Sequence, residues 1–164
     1  MSRLDRLTLL VTMAACGPRA PQPPEPDAAS ASGTVITLER GPCFGTCPVY
    51  RVSLLGNGTV QFEGMRFVNR VGADTSRVAP EAVDRLVRSL DAGGFFALAD
   101  AYVSDAPACG LYHTDAPTVT ISVQAPGRTK SVRHDHGCRD APDQLTSLEH
   151  LIDSVAGTAR WTGR

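Results

Sequence analysis

Val49-Tyr50-Arg51-Val52-Ser53-Leu54-Leu55-Gly56-Asn57-Gly58-Thr59-Val60-Gln61-Phe62-Glu63-Gly64 is the stretch that decides the fold. Tyr50, Val52 and Leu54 alternate with Arg51 and Ser53, and Val60 and Phe62 resume the alternation beyond Gly56-Asn57-Gly58. A period of two sends successive side chains to opposite faces of a strand. Asn-Gly readily adopts the positive φ values that a tight hairpin turn demands. The stretch therefore predicts an antiparallel hairpin over 49–64 with one apolar face, and such a hairpin needs further strands and a cover before it is stable.

Working outward, Thr34 to Glu39 is β-branched and alternating and predicts a strand before the hairpin, and Arg66 to Val71 is expected as a fourth strand after it. Pro80 then takes a first helical position, with Glu81 and Asp84 at the positive end of the dipole and Val83, Leu86, Val87 and Leu90 at helical spacing up to Gly93-Gly94. Val119, Ile121 and Val123 mark a fifth strand, Ala125-Pro126-Gly127-Arg128 a turn, and Lys130 to His134 its returning partner. Pro142 opens a second helix with the stripe Leu145, Leu148, Ile152 and Val155, ending at Gly157. The order is ββββ-α-ββ-α. The fold class expected is α+β, an antiparallel meandering sheet of about six strands with two amphipathic helices on one face.

The chain has 164 residues, of which 42% are hydrophobic and 20% charged, which fits one globular domain, taken as residues 34–164. Sixteen basic residues against seventeen acidic ones, with no run of either sign, give no electrostatic footprint for nucleic acid or for an acidic membrane surface. Residues 1–15 carry Arg3 and Arg6, an apolar stretch from Leu7 to Met13, then Ala14 and Ala15, the order of a secretory signal. As a helix, Leu7 to Ala15 would span about 14 Å against about 30 Å of bilayer hydrocarbon, too short to cross. Met13-Ala14-Ala15-Cys16 resembles the lipobox of bacterial lipoproteins, which implies that Cys16 is diacylated, becomes the new N-terminus and anchors the chain to membrane. Residues 16–33 then read as a tether: Gly17 to Gly33 holds five Pro and no large apolar residue, and its reach is about 50 Å. The expected location is an exported, membrane-anchored lipoprotein, at the outer membrane because Gly17 rather than Asp follows Cys16.

With Cys16 assigned to lipid, Cys43, Cys47, Cys109 and Cys138 remain, in a compartment where disulfides persist. Four cysteines allow three pairings, and reduced thiols or a four-thiolate zinc site are the alternatives, although the spacing at 43 and 47 has no second knuckle of matching form.

The segment Cys43-Phe44-Gly45-Thr46-Cys47-Pro48-Val49-Tyr50 resembles the C-x-G-x-C-P-x-Y signature of a bacterial, lipoprotein-associated domain family of unknown function. The resemblance extends over roughly residues 34 to 161, through the Gly56-Asn57-Gly58 hairpin, Phe95-Phe96, Thr114-Asp115-Ala116-Pro117 and Trp161. It carries no activity across. It places Cys43 and Cys47 within the signature and Cys109 and Cys138 outside it, which favours bridges Cys43–Cys47 and Cys109–Cys138. The C-x3-C-P run also resembles the copper motif of Sco-type chaperones, but a strand and hairpin follow it here where those proteins start a helix.

His113, Asp115, His134 and His136 are the weak candidates for a metal centre. Folding the last hairpin about Pro126-Gly127 faces Val119 with His134, Pro117 with His136 and Asp115 with Cys138, at the open end of the core-facing side. The reading preferred is a hydrogen-bonded polar rim beside a disulfide, with no cofactor, no catalytic residue assigned and enzymatic activity left open. His150 is expected to be partly exposed on the second helix. The function expected is a non-catalytic binding or structural module of the envelope, with another envelope protein or a cell-wall component as partner. The alternatives are a small metal-dependent hydrolase using the histidine cluster, and a thiol redox or copper-handling protein using Cys43 and Cys47.

Overall fold

A computed structural model describes residues 33–163; the expected signal segment, Cys16 and the tether up to residue 32 lie outside the described residues. The strands are β1 (Val35–Arg40), β2 (Val49–Leu55), β3 (Thr59–Arg66), β4 (Gly72–Arg77), β5 (Ala101–Tyr102), β6 (Thr118–Ala125) and β7 (Arg128–Asp135), and the helices are α1 (Pro80–Ala92), α2 (Asp143–Ala156) and α3 (Ala159–Thr162). They form one seven-stranded sheet in the order β4-β3-β2-β1-β6-β7-β5. The hairpin over 49–64 forms as its alternation demands, and β1 lies between β2 and β6, pairing antiparallel with both.

Register aligns the apolar positions in rows across the sheet. Ile36 sits between Leu54 and Val123, and Leu38 between Val52 and Ile121. All six are essentially inaccessible. Val83, Leu86 and Leu90 of α1 and Leu145, Leu148 and Ile152 of α2 join the same core, so both helices cover one face, as the sequence predicts. Each such side chain contributes roughly 1.5–3 kcal/mol when buried. The opposite face stays open and polar, with hydroxyls paired across strands at Thr37–Ser53 (2.9 Å) and Ser122–Ser131 (3.0 Å). No helix of the described residues is long and apolar enough to cross a membrane.

Three expectations are corrected. The fourth strand is not Arg66 to Val71 but Gly72–Arg77, because β3 runs on to Arg66 through a bulge in its pairing with Val49 and Tyr50. The sheet is mixed rather than fully antiparallel and has seven strands, because the two-residue β5 pairs parallel with β7. A third helix, α3, follows α2, and its Trp161 stacks on Phe62 at 4.6 Å while the indole N–H donates to Asp74 Oδ2 at 3.0 Å.

Candidate functional site

The core-facing row nearest the end where β1 finishes differs from those beneath it. It reads Gly64, Tyr50, Arg40, Val119, His134 across β3, β2, β1, β6 and β7. Three of these five positions are polar, and α2 answers them with Glu149 and Asp153, one helical turn apart and on the same face.

Asp153 is filled by donors. Its Oδ1 accepts from the Tyr50 hydroxyl at 2.6 Å and the Thr158 hydroxyl at 3.0 Å, and its Oδ2 accepts from Arg40 Nε at 2.9 Å and Nη2 at 2.7 Å. Burial works against the Arg40 charge, yet the Asp153 carboxylate and its neighbours outweigh it and raise the guanidinium pKa. Burial, reinforced by Asp153, pushes the Tyr50 phenol well above its ordinary value, so it remains a hydrogen-bond donor and is no nucleophile near neutrality. Together these groups clamp α2 to the sheet.

Glu149 is fully buried and receives two imidazoles. Burial alone would raise its pKa, but the hydrogen bonds from His134 and His136 prevail and hold it down at about 2. An ionised carboxylate only accepts. His134 Nδ1 therefore donates to Oε1 at 2.7 Å and His136 Nε2 to Oε2 at 2.8 Å. Arg40 Nη1 stands 3.6 Å from Oε2. The two imidazole rings stack with centroids 4.3 Å apart, and Tyr102 meets His134 edge-on.

The histidine candidates thus divide. His134 faces Val119 as the hairpin register predicts, and the His136 N–H donates to the Pro117 carbonyl at 3.0 Å, one step beyond the ladder. Asp115 does not face Cys138; Tyr112 does, through an isolated bridge. The ladder ends at Thr118 and Asp135, and Asp115 turns away at φ +73° with its carbonyl accepting from the Phe44 N–H. His113 and Asp115 are exposed. Among the described residues, the set whose ligand atoms gather within 4.8 Å is His134, His136 and Glu149. His150 is exposed and lines a groove of 340 Å³ with Arg40, Pro48, Tyr50, Asp153 and Thr158.

The cysteines pair within each set, Cys43 with Cys47 (Cα–Cα 5.8 Å) and Cys109 with Cys138 (5.2 Å). Gly45 lies between the first pair at φ +148°, a conformation that side chains disfavour, and Phe44 beside it is 88% exposed. Cys138 follows Gly137, whose carbonyl accepts from the His113 N–H at 2.8 Å; a Cβ on Gly137 would collide with the His113 carbonyl.

The profile of the family described as a domain of unknown function, DUF6438, matches residues 34–156. The chain belongs to that family. No curated protein gives a match to it. The DUF6438 match opens just before β1 and closes with the last residue of α2, so it contains the whole polar row, both disulfides and Glu149, while α3 lies beyond it.

Sequence reading of this DUF6438 domain missed Glu149, Asp153, Arg40 and the role of Tyr50. A signal was present. Glu149 stands between Leu148 and Ile152, at helical spacing from Leu145 and Ile152, so the buried stripe of α2 had to include it.

Proposed function

We propose that the protein is a lipid-anchored envelope domain that binds another envelope protein, without turnover, through the loops at one end of its sheet. One observation carries this reading. The exposed large hydrophobic residues of the described chain, Phe44, Met65, Phe67, Val71 and Leu111, belong without exception to the end of the sheet where β1 finishes. The opposite end has the tight turns at Gly56–Gly58 and Pro126–Gly127 and receives the chain at Gly33. Phe44 is held out on a disulfide-closed loop, so little conformational freedom is lost when it docks. Exposed Arg66, Arg70 and Arg139 belong to the same end, and aromatic, Met and Arg side chains are the types enriched in protein interfaces. Apolar tips mixed with arginine suit an apolar pocket on a protein better than a glycan strand. Cys16 supplies the anchor in this reading, with the Pro-rich stretch as spacer.

The test places a photo-crosslinking amino acid at position 44 or 111, and for comparison at Ser131 on the open sheet face, in cells with an intact envelope. One protein adduct shared by 44 and 111, absent at 131 and lost on Phe67→Ser, is the result expected. Adducts at 131 alone, or adducts removed by muramidase digestion, would overturn the reading.

A further inference from the structure

We propose that His134, His136 and Glu149 form a binding site for a divalent transition-metal ion of zinc type. Two imidazole nitrogens and one carboxylate are a donor set that suits zinc with a remaining position for water or an exogenous ligand. The three ligand atoms lie within 4.8 Å of one another. Zinc–nitrogen and zinc–oxygen bonds near 2.0–2.2 Å set ligand atoms roughly 3.3 Å apart, so the imidazole–carboxylate contact of 2.7 or 2.8 Å at the bound oxygen would open while the longer separations close.

Each oxygen of the buried Glu149 carboxylate meets one imidazole, and the two rings stack at 4.3 Å and are aimed at that same group. The same two imidazole nitrogens that satisfy the carboxylate, together with one of its oxygens, make a three-ligand set. Arg40 does not exclude a cation, because Asp153 holds it at 2.7 Å, leaving Glu149, Asp153 and Arg40 at net −1 with the imidazoles neutral. Coordination uses the lone pairs of His134 Nδ1 and His136 Nε2, so the protons that these nitrogens donate to Glu149 must leave them, with any remaining ring proton on His134 Nε2 and His136 Nδ1. The His136 side chain is 26% exposed and gives an ion its way in, while His134 and Glu149 form dry walls. Cys109–Cys138 fixes the chain just after His136, and Tyr102 orients His134 from the side.

Tag-free, chelator-stripped protein is titrated with Co²⁺ and Zn²⁺. One equivalent of Co²⁺ giving visible d–d bands, displaced by one equivalent of Zn²⁺, is expected. His136→Ala and the gentler His136→Gln should each weaken Zn²⁺ binding by more than the roughly tenfold to hundredfold that loss of an outer partner costs. His113→Ala and His150→Ala should leave it unchanged. Absence of saturable one-to-one binding in the wild type overturns the proposal, as does binding that survives His136→Gln and fails in His113→Ala.

Discussion

Glu149 is a fully buried carboxylate whose ionisation is tied to folding. Its folded pKa of about 2 lies below the ordinary 4.5, so folding favours the ionised form. The stabilisation is fully present above pH 4.5 and is lost as pH falls from there through the folded value. The difference corresponds to a contribution on the order of 3 kcal/mol. In chelator-treated protein, Glu149→Gln should therefore unfold with about 3 kcal/mol less free energy than wild type at pH 7, and that gap should narrow between pH 4.5 and pH 2. Denaturant titrations across this range measure it, and a gap that is constant down to pH 2 would show that hydrogen-bond geometry, not ionisation, sets the cost. At this scale the sequence was half legible. His134 and His136 follow from counting residues around the Pro126-Gly127 turn, because a hairpin's register is local. Glu149 comes from a helix whose docking is not, and an acidic residue on a helix reads first as solvated.

Among the elements, legibility follows pattern strength. The β2–β3 hairpin, α1 and the β6–β7 hairpin are visible because each has one face in the core and one outside, and side-chain periodicity records that division. β4 lies at an edge, and its sequence Gly-Ala-Asp-Thr-Ser-Arg buries no large apolar group, so backbone pairing with β3 holds it and leaves no periodic trace. β5 has two residues, too few for any period. The two disulfides act on loops that no strand ladder controls. In the chain-entropy account, the Cys43–Cys47 ring is worth roughly 2 kcal/mol and the longer Cys109–Cys138 loop about 3.6. Replacing Cys109 and Cys138 together by Ser should accordingly lower the unfolding free energy more than replacing Cys43 and Cys47 together. Guanidinium unfolding of the two double variants decides the order, and the reverse order would mean that the 109–138 segment is held by its packing instead of by its bridge.

On the scale of the whole molecule, the strand order sets an orientation that local pattern does not reveal. Pairing of β1 with β6 joins segments far apart in sequence, and that pairing brings Arg40 beside Val119 and so into the row that ends at His134. The same topology gathers the loops after β1, β3, β5 and β7 at one end and the chain's approach to β1 at the other. A chain tied to a bilayer through residues before β1 would present its apolar loops away from its attachment, with a spacer reaching about 50 Å. Cys16 is the residue on which this orientation rests: a short apolar segment with small residues before it, and a Pro-rich stretch without large apolar groups after it. Mass spectrometry of the membrane fraction should find a mature chain beginning at an acylated Cys16, and Cys16→Ser should move the protein to the soluble fraction with the 34–163 domain still folded. A mature chain that begins elsewhere and is soluble without any substitution would remove the anchor, and with it the reason to expect the Phe44 end to face a partner across the envelope.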